Sequence, residues 1–411
     1  MMRPADRLSP AEQALVGGID SGALVARTCR WAAINSGSDN LPGLAAMADV
    51  LADALAGLPG VVERVALAPV TRITADGTAQ TLPQGESLRL TVRPEAPVQV
   101  ALTGHYDTVF GADHPFQTVA PEADGRINGP GMADMKGGIS VMLGALEAVE
   151  RAGLAGNLGY TVLLSPDEET GSLGSAPLLA DLARRAALGL TYEPALADGT
   201  LVSARKGSGN YHVVVHGRAA HAGRDFASGR NAIAASARIA AALDALNGQR
   251  EGVTVNVARI DGGSAPNVVP DRAVVRFNVR LPQPEDQPWI EAAIAAALAQ
   301  PGEGITAHLH GGITRPPKPF TPGQQRLFGA FARVGAALGH SLAWAPSGGV
   351  CEGNNLFAHG LPSIDTLGVR GGLIHSADEF AITESFGERA QLSALWLARW
   401  AACGGDLGKM G

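Results

Sequence analysis

The chain has few cysteines, few aromatic residues and little charge. Three cysteines, Cys29, Cys351 and Cys403, are spread over 411 residues. An odd, widely spaced set does not read as a disulfide framework. No run reaches the roughly 20 apolar residues that cross a bilayer, so no membrane partner is expected. The N-terminal stretch has acidic residues and no long apolar core, so it is not read as a signal peptide. A cytoplasmic location is the expectation. Charged residues make up 17% of the chain and the net charge is −7. Lysine and arginine are dispersed without a basic stripe, and no nucleic-acid partner is expected.

What is present describes a packed globule: 46% of residues are hydrophobic. The length exceeds one ordinary core, which predicts two domains. Ser9 and Glu12 in "SPAEQALVGGI" read as a capping box opening a helix, and a second helix is predicted from about Leu44 to Gly57. Strands are predicted at "VVERVAL", "SLRLTV", "VQVALTG", "YTVLLS" and "LGLTYEPA", with a helix at Ile139–Ala152 between the third and fourth. Strands alternating with helices indicate an α/β layer architecture.

From about Gly207 the order becomes β-α-β-β-α-β, the split βαβ pattern of a ferredoxin-like domain. The proline-rich "TRPPKPFTPG" reads as a return linker, after which helix and strand alternate again to a final helix near Ser385–Cys403. The expected organisation is a discontinuous α/β domain, residues 1–206 and 314–411, with a smaller domain, residues 207–313, inserted into it.

In "TGHYDTV", His105 and Asp107 are two apart at a strand end, so both point to one side. A metal-bound imidazole usually donates its other N–H to a carboxylate, and His-x-Asp supplies that pairing. Asp134 lies in the glycine-rich "NGPGMADMKGG" ahead of a helix, where it reads equally as a ligand or an N-cap. "SPDEETGS" leaves a strand directly into Asp167, Glu168 and Glu169. Three adjacent carboxylates repel one another and normally lie in solvent. "LTYEPA" places Glu193 at another strand end, and "GGLIHSADEF" places His375 near the C-terminus. Singly each is weak. Together, two imidazoles and three carboxylates at strand ends of an α/β domain suit a pair of divalent ions bridged by one carboxylate, which would also neutralise the acidic run.

These five segments, in this order, resemble the co-catalytic di-zinc peptidases: glutamate carboxypeptidase, acetylornithine deacetylase, succinyl-diaminopimelate desuccinylase and the aminoacylases. The resemblance covers nearly the whole chain and leans toward the glutamate carboxypeptidase-like branch. It implies a phosphorylase/hydrolase-like mixed-sheet catalytic domain with helices on both faces, and a ferredoxin-like lid that also dimerises. By resemblance, Asp134 would bridge two divalent ions, zinc first and cobalt or manganese as alternatives. His105 and Glu193 would complete one site, Glu169 and His375 the other. Asp107 would orient His105, Glu168 would be the general base, and the Asp134–Met135 peptide would be cis. His221 would reach the partner subunit's active site in a homodimer. Arg280 and Asn267 would bind the substrate's free carboxylate and nearby carbonyl, a role suited to a planar guanidinium.

Where many relatives carry Gly-Gly-(Ser/Thr)-Asp, this chain has "SGGVCEGNN". Gly349 would line the substrate pocket and Glu352 would take the Asp position, with Cys351 before it. The resemblance implies hydrolysis of an amide next to a free carboxylate, in a short peptide or an N-acyl amino acid. A deacylase, desuccinylase or dipeptidase of the same family is the alternative, and an inactive binding homologue the other class.

Overall fold

The alternating strands assemble into a six-stranded mixed sheet in the computed structural model, which describes residues 7–410. Val61–Ala66 and Glu86–Val92 form its antiparallel edge, followed by Leu158–Ser165, Val98–His105, Leu188–Thr191 and the short Ser363–Ile364, all mutually parallel. Val98–His105 reads as a near-continuous apolar run and is buried along almost its whole length, as parallel strands covered on both faces are. The helix Lys136–Arg151 packs against the final helix Glu384–Ala402, which carries Trp396 stacked on Phe331 at 3.8 Å between ring centroids.

The N-terminal capping box forms as read, with Ser9 and Glu12 exchanging hydrogen bonds. The second helix begins at Leu41, not Leu44, because the Asn40 side chain caps it through Gly43 N–H. The helix after Asp134 starts at Lys136, three residues before the apolar pattern at Ile139 suggests. Three helices lie outside the sequence reading: Ser21–Ala32, Ala176–Arg185 and Glu352–Ala358.

The inserted unit has strands Gly207–His216, Thr254–Gly262, Arg272–Leu281 and Thr306–Arg315 in one antiparallel sheet. Helices Ala232–Asp244 and Asp286–Leu298 cover one face, where Ile239, Leu243, Ile290 and Ile294 bury against Val213, Val215, Phe277 and Val279. A hairpin from the larger unit, Val70–Ile73 with Ala79–Leu82, meets the other face. Ile73 packs with Val214 and Val274, and Arg276 donates to the Ile73 and Thr74 carbonyls at 3.0 and 2.7 Å.

The two chain crossings between the units are tied together. Arg205 and Lys318 exchange backbone hydrogen bonds at 2.9 and 3.0 Å. Buried Asp365 accepts from Arg205 Nε at 2.7 Å on one oxygen and from Lys318 Nζ on the other. Asn354 donates to the Lys206 and Pro316 carbonyls, at 3.0 and 2.8 Å, closing the same junction.

Candidate metal centre

Five side chains converge at the carboxyl ends of the parallel strands, where open α/β sheets bind ligands. His105 ends its strand, and Glu169 and Glu193 follow the ends of theirs. Asp134 precedes the helix that starts at Lys136, and the Asp134–Met135 peptide is cis. His375 follows the short strand Arg370–Gly372 with a positive φ of 63°.

Asp134 stands between the imidazoles. His105 Nε2 lies 3.1 Å from its Oδ1, and His375 Nε2 lies 3.3 Å from its Oδ2. Glu193 Oε2 is 3.8 Å from His105 Nε2, and Glu169 Oε2 is 3.2 Å from His375 Nε2. Two donor groups result, His105–Asp134–Glu193 and Asp134–Glu169–His375, each with its ligand atoms within 4.8 Å of one another. Asp134 belongs to both.

The electrostatics of the bare site fit cation binding. Burial pushes Glu169 up to about 8, reinforced by the charge on Asp134, and pushes Glu193 up to about 7. Hydrogen bonds to Asp134 and Glu169 lift His375 to about 10. Burial also works against a charged His105, yet its bonds to Asp107, Asp134 and Glu193 hold it well above its ordinary value. Without cations, these groups must share protons across short contacts. Two divalent ions would replace those protons, and the imidazole-plus-carboxylate donor sets suit zinc or another first-row ion.

The supporting contacts fix the donors. Asp107 Oδ1 lies 3.3 Å from His105 Nδ1, leaving Nε2 toward Asp134. Asp107 also accepts from Ser38 Oγ at 2.7 Å. Its oxygens further take the backbone N–H groups of Glu168 and Glu169, each at 3.1 Å. Asp167 turns away from this centre and accepts the Gly174 and Ser175 N–H groups at 2.8 and 3.1 Å. Glu379, four residues past His375 in the quoted "GGLIHSADEF", escaped the sequence reading. It accepts the backbone N–H groups of Ala133 and Asp134 at 2.9 and 3.0 Å, and so holds the loop that carries Asp134.

A cleft of about 490 Å³ opens beside the centre, between the two units. Glu168, Arg280 and Gly349 line it. Arg280 Nε donates to Asn278 Oδ1 at 2.9 Å, while its buried Nη1 has no partner among the described residues.

Three further residues lie outside this cleft. Asn267 does not line this cleft. It is exposed beside His221, and its carbonyl accepts the Ala222 N–H at 2.9 Å. The pairing of Ala220–His221 with Val268–Val269 explains this placement, because it draws the two loops together. His221 is itself exposed, with Nδ1 accepting the Gly223 N–H at 3.1 Å. Glu352 is fully buried behind the cleft wall and accepts from Ser165 Oγ. It begins the helix Glu352–Ala358, which turns it inward, away from the cleft that Gly349 lines. Cys351 caps that helix, accepting the Gly353 N–H through Sγ at 3.3 Å. Burial pushes its thiol well above the usual range, which does not suit a nucleophile.

Comparison with known proteins agrees with this architecture. Residues 203–306 match the M20 peptidase dimerisation domain. Carboxypeptidase G2 of Pseudomonas sp. (strain RS-16) is 27% identical over 356 residues, covering 84% of this chain and 80% of that protein. A succinyl-diaminopimelate desuccinylase of Verminephrobacter eiseniae is 26% identical, covering 83% and 88%. The fold is shared with an M20 family metallo-carboxypeptidase from Sulfolobus solfataricus, with a TM-score of 0.72, 16% identity and coverage of 92% and 99%. In its dimerisation-domain match, its relatives over most of its length and its fold, the chain is similar to the M20 peptidases.

Proposed function

We propose that this protein is a two-metal amidohydrolase that cleaves an amide bond next to a free carboxylate, releasing a C-terminal amino acid or deacylating an N-acyl amino acid. The observation that carries the reading is Asp134, shared by two donor groups beside a cleft that holds both Glu168 and Arg280. The proposed division of labour gives the chemistry to residues 1–206 and 314–411, and lid and dimer contacts to residues 207–313.

His105, Asp134 and Glu193 would hold one divalent ion, and Asp134, Glu169 and His375 the other, zinc being the first candidate. Bound there, such ions supply Lewis-acid polarisation and lower the pKa of water toward about 7. Glu168 accepts the proton of the attacking water and passes it to the nitrogen of the departing amine. Arg280 pairs its fork with the substrate's free carboxylate, held in line by Asn278. Gly349 forms part of the wall against which the substrate lies. Asp107 fixes the His105 ring through Nδ1.

His221 and Asn267, exposed together on the lid and outside their own chain's cleft, reach a partner subunit's site in a homodimer and donate to the oxyanion and carbonyl there. A cytoplasmic location accompanies this reading. Hydrolysis of a panel of N-acetyl-, N-benzoyl- and N-succinyl-amino acids and dipeptides by metal-reconstituted protein tests it. Turnover of compounds with a free carboxylate, and none of their amides, is expected. Equal turnover of the amidated compounds would reject the Arg280 assignment. A deacylase or dipeptidase would use the same residues, and the panel separates it from a carboxypeptidase.

A further inference from the structure

Arg315 is the last residue of the final lid strand, yet its side chain is buried in the larger unit at 2% exposure. Its Nη2 donates to Glu168 Oε1 at 2.7 Å, to the Glu168 carbonyl at 3.2 Å and to Ser172 Oγ at 2.8 Å. Its Nη1 donates to Asn355 Oδ1 at 2.7 Å, and the Asn355 amide returns a bond to the Thr314 carbonyl at 3.1 Å. The guanidinium plane is therefore set by three elements: the lid strand, the turn that carries Glu168, and the helix Glu352–Ala358. Glu168 Oε2 accepts no hydrogen bond from a described residue, and the side chain borders the cleft.

A buried ion pair usually contributes little net stability and is a weak reason to keep a charge inside. A guanidinium anchored through Nη1 on Asn355 that holds one carboxylate oxygen through Nη2, the other oxygen being free, does something more specific: it fixes the direction of the free lone pairs. A base must lie within hydrogen-bond reach of the proton it takes, so that direction governs the rate. Arg315 is paired with Ser208 in the lid sheet and stands three residues before Lys318 of the junction closed by Asp365, so a shift of the lid sheet moves the guanidinium.

We propose that Arg315 is a positioning residue for the general base: reaching down from the lid, it fixes Glu168 Oε1, leaves Oε2 to take the proton, and ties the base's alignment to the position of the lid. This rests on Glu168 acting as the base.

The test uses full-length, metal-loaded protein with N-acetyl- and N-benzoyl-amino acids as substrates. In Arg315→Ala, kcat is expected to fall about 10²-fold, with KM nearly unchanged and metal content as in the parent. Guanidinium ion is expected to restore part of kcat. In a Glu168→Gln background, Arg315→Ala is expected to cost nothing further, because residues that act as a unit are non-additive. A normal kcat, a change confined to KM, a loss of bound metal, or a full further loss in the Glu168→Gln background would each overturn the role. If Arg315→Ala does not fold, Arg315→Lys carries the test. It keeps the charge without the fork, and a parental kcat in that variant overturns the proposal. Near-normal turnover by Glu168→Gln alone would instead remove the base assignment on which this role depends.

Discussion

Asp107 accepts the backbone N–H of Glu168 at 3.1 Å while lying 3.3 Å from the ring of His105. One buried carboxylate thus orients an imidazole and shapes the turn that sends Glu169 to a candidate donor group and Glu168 to the cleft. Every hydrogen-bond partner of its carboxylate is a donor, counting Ser38 Oγ and the Glu169 N–H.

Asp107→Asn places an amide NH₂ among those donors. Loss of a partner behind a metal-bound imidazole typically weakens metal binding about 10–100-fold. A loss in that range is expected in competition titrations against a chelator. Parental affinity in Asp107→Asn would show that the His105 ring is held without it.

The metal-free protein should respond to pH in a defined direction. Burial pushes Glu169 to about 8 and Glu193 to about 7, against about 4.3 in an unfolded chain. Between those values the folded chain retains protons that the unfolded chain has released, so stability falls as pH rises. His375, lifted to about 10 by Asp134 and Glu169, acts the same way above its ordinary value. Asp134 is pushed up by burial but held below the usual carboxylate range by His105 and His375, so it opposes the trend only in acid. Thermal melts of chelated protein should therefore drop between about pH 5 and 8. Metal-loaded protein, its carboxylates held ionised, should show a flatter or opposite slope, with tighter metal binding at higher pH. Parallel slopes for the two forms would contradict the donor assignment.

Asp365 compensates two buried cations, Arg205 and Lys318, where the chain crosses between the units. Removing one partner of a buried ionic set typically costs about 3–5 kcal/mol. Asp365→Ala is expected to lose stability of that order in denaturant unfolding. A change near zero would mean that the junction does not depend on this charge.

Glu352 is pushed up to about 8 by burial, despite the hydrogen bond it shares with Ser165. Glutamine mimics its protonated form, so Glu352→Gln should stay within about 1 kcal/mol of the parent, whereas Glu352→Ala should lose roughly 1–3 kcal/mol by leaving Ser165 unpaired. Steady-state kinetics on Glu352→Gln check the buried placement. A large change in KM would place Glu352 in the substrate pocket instead.

The donor residues were legible because each sits at the end of a strand or in a glycine-rich loop, where spacing along the sequence translates directly into side-chain direction. The βαββαβ insertion was legible for a similar reason: its strands alternate and its helices are strongly periodic. Arg205, Lys318 and Asp365 were not, because an ion pair spanning 160 positions leaves no local pattern. The burial of Glu352 was not legible for a related reason. Its motif position is clear, but the helix that turns it inward is only seven residues long and carries no repeating apolar face. Asn267 was paired with Arg280 by resemblance. The short ladder joining Ala220–His221 to Val268–Val269, which moves it beside His221, is a contact between distant loops.

The most direct measurement is a metal titration of chelated protein, followed by hydrolysis of an N-acyl amino acid. Turnover should be absent at the start, return as divalent metal is added, and saturate at two equivalents per chain, one for each donor group around Asp134. Full hydrolysis before any metal is added, or saturation with no metal bound to the chain, would contradict the two-metal reading.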